Sequence, residues 1–181
     1  DKSIGRILDR LTTSGIADDT LVIFMTDHGG DENYGGNNLP LRGGKATLFE
    51  GGLRVPCIAR WPGKISPGRV CSATTCSIDL FPTICDILQT GKLAHVPAFD
   101  GRSLNSLFEE SVDIGAWNAS RKLLWQTGNH AELGRKTWLA YREGGFKVVH
   151  PPGEEAMLFN LQLDPNEKDD LAGTSPEKLA E

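Results

Sequence analysis

Apolar residues along the chain change their spacing twice. Over residues 3–14, Ile4, Ile7, Leu8 and Leu11 recur at the i, i+3, i+4, i+7 interval of an amphipathic helix. Gly15 supplies its C-terminal stop. After Asp18-Asp19, the run 20-TLVIFMT-26 is continuous, apolar and β-branched, which predicts a strand covered on both faces, as in the middle of a parallel sheet. Helix, short turn and buried strand make half of a doubly wound α/β unit. The run 53-LRVPCIARW-61 predicts a second strand closed by a turn at Pro62-Gly63, and residues 69–76 a short extended segment. Asp79 and Pro82 open a helix with Leu80, Phe81, Ile84, Ile87 and Leu88 on its buried face, ended by Gly91.

Beyond that helix the spacing shortens. The runs 122-KLLWQT-127, 137-TWLAYR-142, 146-FKVVH-150 and 157-MLFNL-161 predict short strands, with a hairpin turn at Gly144-Gly145. The expected organisation is therefore an α/β core over 1–91, an irregular connection over 92–120 and a small antiparallel sheet over 121–181. The acidic tail after Asp164 is expected to lie over that sheet.

Composition narrows the function classes. With 39% hydrophobic and 24% charged residues the chain has material for a core, so disorder is excluded. Its 181 residues bound it at one domain, or one with a small appendage. Nineteen Lys and Arg against 24 Asp and Glu leave a net charge of −5, and no basic patch suits a nucleic-acid partner. The longest apolar runs are too short to span a bilayer. The chain starts at Asp1 without a leader, on what reads as a helix already under way, and so reads as a piece of something longer. None of the four cysteines forms a C-x-x-C pair. Cys57 and Cys85 read as buried thiols, while pairing of Cys71 with Cys76 stays open.

Candidate chemistry begins at Asp27-His28-Gly29, directly after the first strand. Open α/β sheets bind ligands beyond the carboxyl ends of their strands. A carboxylate and an imidazole side by side there suit a divalent cation; Asp-His-Gly is also a common turn composition. Residues 29–52 then carry eight of the 21 glycines, in four Gly-Gly pairs, which marks a functional loop. Within it Lys45 is a donor for an oxyanion or, alternatively, a solvated surface charge. The loop is not a P-loop, because Ala46 stands where a Ser or Thr is required. Glu50 and Arg54, four residues apart, read as a structural ion pair.

Taken together, T-D-H-G at 26–29, L-R-G-G-K at 41–45, E-G-G-L-R-V-P at 50–56, W-P-G at 61–63 and 77-SIDLFPTICDILQTG-91 closely resemble the sulfatase family. The segments 141-YREGGFKVV-149 and 157-MLFNLQLDPNEKDDLA-172 are similar to that family's closing pattern. The resemblance implies an alkaline-phosphatase-like fold, part of a doubly wound, mostly parallel sheet followed by a small antiparallel C-terminal sheet. It implies hydrolysis of sulfate esters by the complete enzyme, on a sulfated small molecule or sulfated glycan. Residue by residue, Asp27 and His28 match a metal-ligand pair whose usual ion is Ca²⁺, and Lys45 matches the lysine that contacts the substrate sulfate. Glu50, Arg54 and Asp79 fall on framework positions. His130, in 128-GNHAELGRK-136, either faces the substrate or is a solvated loop histidine.

Two family features have no match. None of the cysteines begins the C-x-P-x-R motif that becomes the formylglycine nucleophile, and the first pair of metal-binding aspartates is absent. The expectation is a C-terminal portion, inactive alone, whose N-terminal half supplies the rest of the site. The alternatives are a phosphodiesterase or phosphatase of the same superfamily, and a non-catalytic sulfatase-derived binding module. Family habit implies a periplasmic, secreted or lysosomal compartment. Asn118-Ala119-Ser120 fits a glycosylation sequon or a chance triplet.

Overall fold

The first helix forms where the apolar spacing places it. In the computed structural model, which describes residues 1–90, 98–127 and 137–180, α1 runs over Lys2–Thr13. Gly15 (φ 70°) ends it in a Schellman motif: its N–H donates to Thr12 O, and the N–H of Ile16 to Leu11 O. The apolar stripe is only half covered, with Ile7 59% exposed. The run that follows forms β1 (Val22–Met25), paired with β2 (Cys57–Arg60) in a two-stranded sheet. Phe24 on β1 is 44% exposed. Two strands alone supply no covering layer, so the strand expected to be buried on both faces is half open among the described residues.

Three local expectations need correction. β2 starts at Cys57 because residues 50–53 instead turn into the short helix α2 (Glu50–Leu53), and Pro56 has no N–H to give a ladder. Residues 69–76 carry no strand. The third helix, α3 (Leu80–Ile87), follows a 3₁₀ turn at Ser77–Asp79 and buries Pro82, Thr83 and Cys85; Phe81 and Ile84 stay about half exposed. Hydrogen bonds set that orientation. The Asp79 carboxylate accepts from the N–H groups of Cys76 (2.7 Å) and Arg102 (2.8 Å), and Thr83 Oγ1 accepts from Leu104 N–H. Asp79 is fully buried and its role is that of a framework group. All four cysteines are free thiols, with Cys57 exposed and Cys85 buried, so burial of Cys57 is also corrected.

The chain divides into two compact units, 1–24 with 58–117 and 25–57 with 118–180. In the first, Trp117 Nε1 donates to Thr74 O and Arg69 Nη1 to Leu107 O. Helix α4 (Ile114–Ala119) crosses the division. The second unit is built on a meander of β3 (Lys122–Gln126), β4 (Leu139–Glu143), β5 (Phe146–His150) and β6 (Met157–Asn160), antiparallel throughout. The β4–β5 turn is Gly144-Gly145, with Glu143 opposite Phe146. Its core gathers Ala140, Val149, Phe159 and Leu161 around Leu48 and Phe49 of the glycine-rich segment. The tail lies on this sheet as expected: Leu171 N–H donates to Leu158 O, Leu158 N–H to Asp170 Oδ1, and α5 (Pro176–Ala180) sets Lys178 over Phe146. No described helix is long and apolar enough to cross a membrane.

Candidate functional site

All described candidate residues fall in the second unit. Asp27 and His28 follow β1 by two and three residues. Asp27 Oδ1 accepts the His28 backbone N–H (3.1 Å), which aims Oδ2 at the ring, 3.3 Å from His28 Nε2. His28 Nδ1 stands 2.8 Å from Gly29 O. A carbonyl only accepts, so Nδ1 carries a proton and Nε2 is the ring nitrogen that faces Asp27. One carboxylate oxygen and one imidazole nitrogen lie 3.3 Å apart on partly exposed side chains, close enough for one divalent cation to reach both. The donor chemistry fits two ligands of a metal centre. No group of three or more His, Cys, Asp or Glu that could hold a metal occurs among the described residues.

The glycine-rich segment folds back on this pair through backbone contacts that admit no side chain. Gly29 N–H donates to Gly52 O, and a Cβ on Gly29 would collide with Gly51 O. A Cβ on Gly51 would strike the carbonyls of Arg42 and Gly43. Asn38 fastens the layers: Oδ1 accepts from Gly30 N–H (2.7 Å) and Nδ2 donates to Gly30 O (2.9 Å). Lys45 N–H reaches the same Gly30 carbonyl at 3.1 Å. The residue after Lys45, Ala46, sits at φ 70°, a left-handed conformation that a non-glycine residue adopts only when its surroundings impose it.

The structure thus brings Asp27, His28 and Lys45 onto one backbone platform. Lys45 Nζ is half exposed and lies 3.7 Å from Asp31 Oδ2. Neither Asp31 nor Asn38 was legible as a site residue, because each makes its contact across a turn with no periodic signal. His130 lies outside the described residues. The expected Glu50–Arg54 pair is replaced: the Glu50 carboxylate meets Lys147 Nζ of β5 at 2.8 Å. At the end of α2, Arg54 meets Glu50 through its backbone N–H, which donates to the Glu50 carbonyl.

Comparison with known proteins decides the family. The Sulfatase family profile matches residues 1–90. Human steryl-sulfatase is 30% identical over 219 aligned residues, covering 100% of this chain and 36% of that protein. The chain belongs to the sulfatase family. Mouse N-acetylgalactosamine-6-sulfatase is 45% identical over 205 residues, covering 98% of this chain and 38% of its own length. The crystal structure of Ps i-CgsB in complex with k-i-k-neocarrahexaose superposes with a TM-score of 0.84 at 27% identity, over 98% of this chain and 38% of that one. The fold class read from the sequence, part of an alkaline-phosphatase-like α/β core followed by a small antiparallel sheet, stands. This sulfatase chain spans little more than a third of the length of these relatives.

Proposed function

We propose that this chain supplies one side of a sulfate-ester hydrolase site: two metal ligands, Asp27 and His28, and a sulfate-binding lysine, Lys45. One observation carries the reading. Lys45 N–H is bonded to the carbonyl of Gly30, two residues past His28, so the cationic donor and the metal-ligand pair share one rigid segment. A divalent cation bound there, Ca²⁺ by family habit, would supply positive charge to the oxygens of a sulfate group. The chain's own residues do the rest of this half. Asp27 presents a carboxylate oxygen, His28 is oriented by the Gly29 carbonyl at Nδ1 so that Nε2 stands beside that oxygen, and Lys45 offers an ammonium to the transferred group and the leaving oxygen. Asp31, at 3.7 Å, holds Lys45 until an anion displaces it. The nucleophile, a formylglycine, and the other metal ligands come from outside residues 1–181.

The substrate class that fits is a sulfated small molecule or a sulfated glycan, in a periplasmic, secreted or lysosomal setting. The test is turnover by the full-length protein on matched aryl sulfate and aryl phosphate esters. Sulfate-ester hydrolysis that a chelator abolishes is expected. Preferred hydrolysis of the phosphate would instead favour a phosphodiesterase or phosphatase, and turnover of neither a non-catalytic binding module.

A further inference from the structure

Sheet alternation on β5 places residue 147 on the inward face with Val149, yet residue 147 is a lysine. It is fully buried, and two carboxylates meet it: Glu50 Oε1 at 2.8 Å and Glu167 Oε1 at 2.9 Å. The second contact is an ion-pair approach rather than an aligned hydrogen bond. Glu167 is also fully buried. Its other oxygen accepts the Glu50 backbone N–H at 2.6 Å, and its carbonyl accepts from Arg42 Nη1 at 3.1 Å. Glu167 stands at φ 55°, a backbone conformation that a non-glycine residue occupies only under constraint.

These contacts share one geometry. Arg42 and Glu50 are the two ends of the segment that carries Lys45, and both are tied to Glu167. Arg42 is further fixed with its guanidinium 4.0 Å over the Phe49 ring. The family-like closing segment D-P-N-E therefore reaches back to grip the lysine loop at both ends, and the buried ammonium of Lys147 stands between the two carboxylates.

We infer that Glu167 is a positioning residue for Lys45, acting through the Arg42 and Glu50 ends of the 42–50 segment. The inference rests on the assignment of Lys45 to sulfate binding.

A double-mutant cycle in the full-length protein tests it. Glu167→Gln keeps the backbone carbonyl that holds Arg42 but loosens the Glu50 end, because the amide loses the charge that Lys147 fixes. It should lower kcat on an aryl sulfate by about ten- to hundredfold, the scale for small misplacement of a catalytic group, with metal content unchanged. In a Lys45→Ala background the same change should cost less than about twofold, because the group it positions is gone. Arg42→Gln, a substitution at an exposed residue, should behave the same way and serves if Glu167→Gln folds poorly. Equal losses in both backgrounds, or a folded variant with unaltered kcat, would overturn the inference. Normal turnover in Lys45→Ala alone would instead overturn the lysine's assignment, and the two failures are thereby told apart.

Discussion

The side-chain amide of Asn38 holds both backbone polar groups of Gly30, accepting from its N–H at 2.7 Å and donating to its carbonyl at 2.9 Å. Only one amide orientation satisfies both bonds. Asn38→Asp keeps the acceptor but sets a carboxylate oxygen against the Gly30 carbonyl. The protein should lose on the order of 1–3 kcal/mol at neutral pH, read as a lower melting temperature. The loss should shrink in acid, where the introduced carboxyl protonates and can donate again. A melting difference that does not depend on pH would contradict this pairing.

The buried cluster predicts a context-dependent cost. Lys147→Met removes the ammonium that contacts both Glu50 and Glu167 and should destabilise the protein by about 3–5 kcal/mol. Adding Glu50→Gln and Glu167→Gln to that variant should recover much of the loss, since the unpaired charges go with the ammonium. Denaturant melts of the single and triple variants make the comparison, and equal midpoints would show that Lys147 acts by volume alone.

Burial pushes the Glu167 carboxyl up, more than the Lys147 ammonium pulls it down; Glu50 nearby adds to the rise. A raised carboxylate binds its proton more tightly in the folded state than in the unfolded one. Its contribution therefore favours folding below the usual carboxylate range and is lost as pH rises through the elevated value. Glu167→Gln should flatten that part of the stability-against-pH curve. An unchanged slope would mean that Glu167 is not its source.

Residues 1–181 on their own should turn over no aryl sulfate, because they contain neither the C-x-P-x-R nucleophile motif nor the first aspartate pair. Hydrolysis above a buffer blank by the purified chain would contradict this.

What was legible in the sequence follows the range of the interaction. Helix α1 and the four-stranded meander repeat every few residues, so spacing alone places them. Asp27, His28 and Lys45 became candidates through short motifs and the family resemblance. The α3 face was misread because its orientation is set by Asp79 and Thr83 bonding to backbone at 102 and 104, about 20 residues away. Glu50 was assigned to Arg54, its helical neighbour, whereas its true partner Lys147 stands 97 residues along the chain. Glu167 was visible only as part of a resemblance. A lysine inside an otherwise apolar strand was the signal that could have led to it, since buried ammonium groups require carboxylates.

The most direct test measures bound metal and turnover together in the full-length protein and two variants. If Asp27 is a metal ligand and Lys45 a sulfate donor, Asp27→Ala loses both metal and rate. Lys45→Ala then keeps its metal while kcat/KM falls by roughly 10²–10³. His28→Asn should be milder than Asp27→Ala, because an amide oxygen can still serve a hard cation. Full metal occupancy and near-normal turnover in Asp27→Ala would reduce Asp-His-Gly to a strand-end turn and contradict the account.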